Sequence, residues 1–220
     1  RSDLLFRCIK YINNQSRRPD DLIVINNGST DNTESILIDN KIKFITQKNS
    51  GSAGGWATGI DYALKNNFDA VWMMDDDGYP DINSLNILEK HISKNNNVCC
   101  SSMVIDYNNS NNLIFSLPLF NGNNFPKLIG FKRKYHRLDE LESHNFQSTY
   151  PYAQLFNGAL ILTNAIKKIG NVNKKYFLYG DEIDYLYRLK KIGNVISINK
   201  ALHFHPNIAI RPYSKIKIYY

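Results

Sequence analysis

The sequence has few cysteines and no long apolar run, and both absences narrow the class of protein. Its 220 residues contain three cysteines, Cys8 and the adjacent Cys99 and Cys100. This number and spacing exclude a disulfide framework, argue against a structural zinc site and suit a reducing compartment. No run of about 18 apolar residues occurs, so the sequence predicts no membrane-spanning helix.

Charge is sparse and slightly unbalanced. Charged residues make up 21% of the chain against 43% hydrophobic residues, which is typical of a packed globular protein and excludes global disorder. The formal net charge of +7 favours acidic partners such as nucleotide phosphates or an anionic membrane face, or reflects only a composition rich in Lys and Asn. Because the basic residues are scattered and no recognition motif is present, we expect no nucleic-acid partner. No signal peptide precedes the first predicted helix, so we expect a cytoplasmic protein.

Predicted helices alternate with short apolar strands along most of the chain. The strands are expected at residues 21–25, 42–45, 70–74, 98–105, 158–162 and 195–198. Continuously apolar strands that alternate with helices are typical of a parallel sheet covered on both faces, so the predicted fold class is α/β. Residues 107–150 are rich in Asn, Pro and Gly and break this alternation, which predicts an insertion or a solvated loop.

Three adjacent carboxylates, Asp75, Asp76 and Asp77, directly follow the strand predicted at residues 70–74. Adjacent carboxylates repel one another, and an unpaired buried charge is costly. A divalent cation removes this cost, because Mg²⁺ and Mn²⁺ take one or two carboxylates together with substrate phosphates. The triplet therefore indicates a metal site beyond a strand end, where open α/β sheets bind ligands. An exposed acidic turn before Gly78 is the alternative.

Two turn-rich stretches precede predicted helices, and each has two interpretations. Residues 51–55 are predicted to form a glycine-rich loop before a helix at residues 56–65, so that backbone N–H groups face an anion or the glycines permit close packing. The stretch is neither a Walker loop nor a dinucleotide fingerprint. Residues 26–31 offer amides and a carboxylate to a base or ribose, or form an Asx-type turn and a helix N-cap.

Asp181 and Glu182 open a helix predicted at residues 181–191. Acids in a first turn suit the helix dipole, and Asp184 is spaced to pair with Arg188, so a structural role explains these residues. The functional interpretation takes Asp181 or Glu182 as a general base that removes a proton from an attacking hydroxyl.

In this order, the motifs resemble the family-2 inverting glycosyltransferases of the GT-A fold, which use nucleotide-sugar donors. Within that family, the motifs are most similar to those of the bacterial rhamnosyl- and galactofuranosyltransferases that build surface polysaccharides. It spans nearly the whole chain except residues 107–150. It is carried by residues 1–5, 24–31, 49–55, 75–77, 157–159 and 180–184, with Arg188, Gly193 and His205.

The resemblance implies a role for each motif. The implied metal ligands, for Mn²⁺ or Mg²⁺, are Asp75, Asp77 and His205, with His203 left to ordinary packing. The implied donor-binding residues are Asn26, Asn27, Asp31, Gly54, Gly55, Asp75 and Asp76. The implied reaction centre is lined by Asn157, Gly158 and Ala159. The implied catalytic base belongs to the acidic pair Asp181–Glu182. Its second member usually acts as base but is normally Asp, so Asp181 stays open beside Glu182.

The resemblance also implies the domain organisation. We expect one GT-A domain over residues 1–220, with a Rossmann-like, mostly parallel sheet flanked by helices. Residues 1–105 would form the nucleotide-binding half, 106–150 a variable insertion and 151–220 the acceptor and catalytic half. The first strand of the family would precede Arg1, so we expect a sequence truncated at both ends.

The implied activity is sugar transfer with inversion, from a UDP- or dTDP-linked donor to a saccharide or lipid-linked saccharide acceptor. We expect it to serve cell-surface polysaccharide synthesis at the inner face of the cytoplasmic membrane. Two alternatives stay open, a sugar-phosphate nucleotidyltransferase and a catalytically silent module that binds nucleotide or carbohydrate.

Overall fold

The computed structural model describes residues 2–120, 126, 134–144, 146 and 148–207. Arg1 and residues 208–220, on which the expected truncation of both ends depends, lie outside the described residues. Within these ranges the helices are α1 Ser2–Asn13, α2 Thr33–Asp39, α3 Gly51–Lys65, α4 Ser84–Ile92, α5 Leu138–Ser143, α6 Thr163–Ile169 and α7 Asp181–Lys190. The strands are β1 Val24–Asn27, β2 Phe44–Gln47, β3 Ala70–Met74, β4 Tyr79–Pro80, β5 Asn97–Asp106, β6 Asn109–Pro118, β7 Lys134–Arg137, β8 Thr149–Tyr150, β9 Asn157–Leu162 and β10 Asn194–His205. A 3-10 turn spans Lys174–Tyr176.

The strands form a mixed central sheet and a separate pair. β1 and β2 pair in parallel, whereas eight strands pair around the order β3-β9-β5-β10-β4, with β6 and β7 continuing from β5 and β8 paired to β10. β5 and β10 are parallel, but β9 runs antiparallel to both β3 and β5. The α/β class is confirmed. Strand direction was not readable from apolarity, because a strand covered on both faces is apolar whichever way it runs.

Two predicted loops are ordered elements instead. The glycine-rich loop expected before residue 56 is the first turn of α3, which begins at Gly51. Its glycines allow a close approach, since a Cβ on Gly51 would lie 1.9 Å from the Phe177 carbonyl oxygen. The region expected as an insertion or a solvated loop at residues 107–150 contains β6, β7, α5 and β8 in the part that the structure describes. Its apolar side chains pack with β5 in a core of their own, formed by Met103, Ile105, Leu113, Leu117, Tyr135, Leu141 and Tyr150.

The helices cover the sheet and bury its strands. All ten residues of β5 are buried, as expected for a central strand between two layers. α3, α6 and α7 pack with β9 in the largest apolar cluster, while α4 packs with β10 in a second one. None of the described helices has the length and apolarity that a bilayer crossing needs.

A cavity of about 1150 Å³ lies between the parallel pair and the central sheet. Residues 24–27 of β1 line it together with all of β3, and apolar side chains of α1 also face it. The turn after β1 and two of the carboxylates after β3, Asp75 and Asp76, line the same cavity. This arrangement brings two of the chemically interesting segments of the sequence to one space.

Ile161 tests the packing of β9. It is fully buried and lies in register with Val71 of β3 and Cys99 of β5. We expect Ile161→Ala to lower the free energy of unfolding by about 2–5 kcal/mol, because it removes three carbons from a close-packed layer. Urea unfolding measures this loss. Ile38→Ala is the control, since Ile38 is 58% exposed and should change stability little; equal losses in the two variants would contradict the placement of β9.

Candidate active site

The acidic triplet leaves β3 and meets the end of β10. Asp77 and His205 are both buried, and Asp77 Oδ1 lies 3.1 Å from His205 Nε2. Burial acts to lower the pKa of His205, but the hydrogen bond and charge of Asp77 outweigh it and raise the pKa above its ordinary value. The structure therefore joins two of the three expected metal ligands.

The second nitrogen of His205 shows what this pair is suited to hold. His205 Nδ1 lies 2.8 Å from the carbonyl oxygen of Pro206, to which it donates as N–H. In the neutral ring, Nε2 then carries a lone pair that faces a carboxylate oxygen. Two facing acceptors require a cation between them, either a proton or a metal ion. A backbone carbonyl that fixes the other nitrogen is the usual support of a metal-bound histidine.

The described residues hold no complete metal cage of their own. Among them, no group of three or more His, Cys, Asp and Glu side chains is placed to share one ion. Mg²⁺ and related ions commonly take only one or two protein ligands and complete their shell with substrate phosphates. Asp77 and His205 therefore fit a cation shared with a phosphate ligand, and the role of Asp75 stays a prediction.

His203 lies on the same side of β10 as His205, because residues two apart on a strand share a face. It is fully buried between two glycines, with Nε2 2.1 Å from where a Cβ on Gly78 would lie and Nδ1 3.2 Å from one on Gly158. Burial lowers the pKa of His203 to about 3, so the ring is neutral. This burial fits the expectation of ordinary packing for His203, whose ring separates the turn after β3 from the start of β9.

The expected reaction-centre residues lie directly beside the acidic triplet. Asn157 is the register partner of Met74, the residue before Asp75, so the two segments leave neighbouring strands side by side. Gly158 has a φ of +86°, which favours glycine, and a Cβ there would lie 3.1 Å from Ser102 Oγ and 3.2 Å from His203 Nδ1. Ala159 is fully buried in the sheet.

The first turns of α3 and α7 hold the acidic pair. Ser52 donates a hydrogen bond from Oγ to Asp181 Oδ2 at 3.0 Å, and Asp181 is 3% exposed. The backbone N–H of Ala53 donates to the Phe177 carbonyl at 3.3 Å. The predicted ion pair on α7 is confirmed, because Arg188 lies 2.7 Å from Asp184. Ser52 was not predicted from the sequence, since its partner is 129 residues away.

Glu182 differs from Asp181 in its surroundings. Its Oε1 accepts a hydrogen bond of 2.9 Å from the backbone N–H of Leu155, two residues before Asn157. Burial raises the pKa of the Glu182 carboxyl above its ordinary value, although the Leu155 hydrogen bond works in the opposite direction. A carboxylate with a raised pKa is a better proton acceptor, so the electrostatics suit a general base.

The expected donor-binding side chains at the end of β1 and in the turn after it are already engaged within the fold. The Asn27 amide donates to the Gly51 carbonyl and accepts from Gln47 Nε2, both at 2.8 Å. Asn26 accepts from the Ser29 N–H at 3.1 Å, and Asp31 accepts from the Thr33 N–H at 3.2 Å at the start of α2. The predicted Asx-type turn is thus present, whereas Asn32, the N-cap residue of α2, makes no side-chain capping hydrogen bond. Of the expected donor-binding residues, the cavity between β1 and β3 is lined by Asn26, Asn27, Asp31, Gly55, Asp75 and Asp76, but not by Gly54.

Arg7 of α1 is a functional candidate that the sequence analysis missed. Its guanidinium donates to the Asp77 carbonyl at 3.1 Å and lies 4.6 Å from the centre of the Tyr79 ring. A fixed positive charge therefore lies beside the acidic triplet. The helical pattern of α1 gave no sign of it, because Arg7 is at the margin of the apolar face.

Comparison with known proteins points to one family. The model described as "Glycosyl transferase family 2" matches residues 1–154. Galactofuranosyltransferase GlfT1 of Mycobacterium tuberculosis is 32% identical over 200 residues, which are 88% of this chain and 62% of that protein. GlfT1 of Mycolicibacterium smegmatis is 29% identical over 198 residues, which are 88% of this chain and 63% of that protein. The chain thus spans less than two thirds of the length of these curated relatives.

Solved structures show the same fold. The crystal structure of GalNAc-T7 with UDP, GalNAc and Mn²⁺ matches with a TM-score of 0.66 at 13% identity, over 92% of this chain and 41% of that one. The mannosyltransferase PcManGT from Pyrobaculum calidifontis, in complex with GDP-Man and Mn²⁺, matches with a TM-score of 0.64 at 13% identity, over 97% and 55%. At this identity the likeness establishes the GT-A fold alone.

Gly78 tests the contact between His203 and the acidic turn. We expect Gly78→Ala to lower the free energy of unfolding by about 1–3 kcal/mol, because the added methyl overlaps a buried ring that has no room to move. The double variant Gly78→Ala/His203→Ala lacks that ring. Compared with His203→Ala alone, it should therefore lose less stability through Gly78→Ala than the native protein does. Urea unfolding of the four proteins gives the interaction energy.

Gly59→Ala is the control for this cycle. Gly59 lies within α3, and a Cβ there would meet only Ile25 at 3.7 Å, an ordinary contact. This variant should be neutral or up to about 1 kcal/mol more stable, because Ala favours a helix over Gly. If Gly78→Ala matched Gly59→Ala, the close approach of His203 would be refuted.

Proposed function

The chain belongs to glycosyl transferase family 2, and from that premise we propose that it moves a sugar from a nucleotide-sugar donor to a saccharide acceptor with inversion at the anomeric carbon. The observation that carries this proposal is the position of Glu182. This carboxylate, whose pKa is raised, is hydrogen-bonded to the segment that leads into Asn157, which is paired with the residue before the acidic triplet.

In the proposed reaction, Glu182 is the general base. Asp181 is held by Ser52 and almost wholly buried, whereas Glu182 is half-buried and has a raised pKa. Glu182 removes the proton of an acceptor hydroxyl as that oxygen bonds to the anomeric carbon. The bond to the nucleoside diphosphate breaks on the opposite face, and the diphosphate leaves with the electron pair. We assign Asp181 to positioning, since its hydrogen bond joins α7 to α3.

Asp77 and His205 are the proposed holders of a divalent cation, Mn²⁺ or Mg²⁺, with Asp75 added by the family resemblance. The cation would neutralise charge on the leaving diphosphate. The two structural neighbours were solved with Mn²⁺, which supports this assignment. Arg7 adds a second positive charge beside the same turn. The His205 ring is held by the Pro206 carbonyl, so its Nε2 stays directed at Asp77.

The proposed donor site is the part of the cavity beyond β1 and β3. Its lining by residues 26–31, Gly55, Asp75 and Asp76 supports a place for the nucleoside diphosphate. Asn157, Gly158 and Ala159 would lie at the reaction centre. The proposal also includes a UDP- or dTDP-linked donor and a saccharide or lipid-linked acceptor. It assigns the reaction to surface polysaccharide synthesis. Its cytoplasmic location at the inner membrane face is proposed with them, and no nucleic acid takes part.

We also propose the single-domain organisation over residues 1–220, with its halves 1–105 and 151–220 and the insertion 106–150. A further strand, as the family resemblance implies, would fit the cavity between β1 and β3. Both walls of this cavity are strand edges with apolar lining. Arg7 and Cys8, in the middle of α1, contact the backbone of residues 75–77 after β3.

Glu182→Gln tests the base and its electrostatics together. We expect turnover to fall about 10²–10⁴-fold while the donor still binds, because the amide accepts no proton. The same substitution should raise the stability of the folded protein at higher pH. A carboxyl whose pKa is raised by folding is more protonated in the folded state, so the native protein loses stability as pH rises through the ordinary and then the raised pKa. The variant escapes this loss.

Transfer assays and urea unfolding at several pH values measure both effects. Glu142→Gln is the matched control, because Glu142 is exposed on α5. Near-normal turnover in Glu182→Gln would eliminate Glu182 as the base. A stability difference that did not grow with pH would contradict its raised pKa.

Thermal unfolding with a panel of nucleotide sugars tests the donor and the metal. We expect one donor class to raise the melting temperature only when Mn²⁺ is present, because a ligand of the folded state stabilises it by mass action. Asp77→Asn should lose most of this Mn²⁺-dependent shift, whereas Asp39→Asn, at an exposed position on α2, should keep it. Equal shifts in the two variants would reject Asp77 as a ligand, and no shift with any donor would reject the proposed function.

A further inference from the structure

A group of large apolar side chains lies exposed around the start of α7. We call it the apolar patch, and it consists of Tyr176, Phe177, Leu178, Tyr179, Ile183 and Tyr187. These side chains are between 41% and 83% exposed. Four are consecutive, and Ile183 and Tyr187 are spaced to share one face of α7, opposite the buried Tyr185, Leu186 and Leu189. Single exposed apolar residues are common, but such a group marks a binding surface.

The backbone of the patch is tied to the fold while its side chains point away from it. The Phe177 carbonyl accepts hydrogen bonds from Ala53 N–H at 3.3 Å and Ser52 Oγ at 3.4 Å. Phe177 and Tyr179 have φ values of +54° and +65°, which are unfavourable for bulky residues. Strained residues persist where the surrounding structure requires them, and they often serve function. The exposure of the patch is therefore built into the fold.

The surroundings of the patch are basic. Residues 163–193, which include α6, the 3-10 turn and α7, contain seven Lys and Arg against three Asp and Glu. Of the acids, Asp184 is paired with Arg188, and Asp181 is buried against Ser52. Lys167, Lys168, Lys175 and Lys191 are exposed, as is Lys174, which lies 3.8 Å from Asp61 of α3. An apolar surface is thus bordered by an excess of positive charge.

We propose that the apolar patch docks on an anionic lipid bilayer. Aromatic and aliphatic side chains at the interface, with lysines beside them, match the two forces that hold peripheral proteins on such membranes. A second copy of the chain fits less well, because a symmetric contact would bring two basic surfaces together. An uncharged saccharide would leave the lysines without a role.

Docking in this way places the acidic pair at the membrane surface. Tyr179 lies two residues before Asp181, so the base proposed at Glu182 would work close to the lipid headgroups. This consequence, which rests on the proposed function, fits an acceptor sugar carried on a lipid. The docking itself does not depend on any catalytic activity.

Vesicle co-sedimentation of the 220-residue chain tests the docking. We expect binding to vesicles of phosphatidylcholine mixed with phosphatidylglycerol, weaker binding to phosphatidylcholine alone, and a decline with added salt. The double variant Leu178→Ser/Ile183→Ser should bind at least about tenfold less, because two aliphatic side chains no longer enter the interface. The charge variant Lys174→Glu/Lys175→Glu should lose the preference for the anionic vesicles.

Ile38→Ser/Ile82→Ser is the matched control, since these side chains are 58% and 53% exposed and lie outside the patch. Replacing them should leave vesicle binding unchanged. Thermal unfolding checks that each variant is folded. No vesicle binding by the native chain, or equal binding of the two Ser variants, would overturn the proposal. So would light scattering that shows a dimer which dissociates in the patch variant. Donor-dependent thermal shifts are measured separately, so failure here leaves the proposed function standing.

Discussion

The site depends on the last two residues of β10 that face the turn after β3. His205 reaches the Asp77 carboxylate, and His203 fills the space beneath Gly78. Both contacts come from one face of one strand, so a shift of β10 by a single residue would remove both. β10 is held in place by its parallel pairing with β5 over almost its whole length. The position of the proposed metal ligands is therefore set by the core of the sheet.

A second line of contacts runs from this strand to the proposed base. His203 also touches Gly158, which follows Asn157 at the start of β9. The same segment holds Leu155, whose N–H binds Glu182, and Phe156, whose ring stacks on Trp56 of α3 at 4.4 Å. α3 then binds Asp181 through Ser52. A continuous row of packed groups thus connects Asp77, which would hold a cation, to Glu182, which would accept a proton. This packing leaves the two carboxylates little freedom to change their spacing.

Local patterns were enough to predict most of the elements. The β3 prediction at residues 70–74 matches the structure, because a short apolar run bounded by polar residues has one interpretation. Patterns failed where the answer lies in distant contacts. Gly51 begins a helix because Phe177, far along the chain, needs its missing side chain. Residues 109–118 form a regular strand because they pack against β5. The direction of β9 likewise depends on its neighbours.

The chemistry of the site was predicted in the same uneven way. The acidic triplet stood out because adjacent carboxylates after an apolar strand are costly to bury, whereas the family resemblance was needed to single out His205, and their roles stay predictions. Asn26 and Asn27 were ambiguous, and the structure shows the Asn26 amide engaged in the turn and the Asn27 amide bound to Gly51 of α3. Ser52 and Arg7 could not be found, since a serine in a glycine-rich stretch and a helical arginine are each common. Their roles exist only once the chain has folded.

α7 explains why the base and the apolar patch occur together. Its first turn places Glu182 where the carboxyl is partly buried, and this burial raises the carboxyl pKa. A fixed backbone is needed to hold it there. The hydrogen bonds that fix it run through the Phe177 carbonyl, which turns the side chains of residues 176–179 away from the protein. Polar side chains would have met this requirement equally well. Six large apolar ones in that place therefore need a reason beyond folding, and an apolar partner beside the base supplies it.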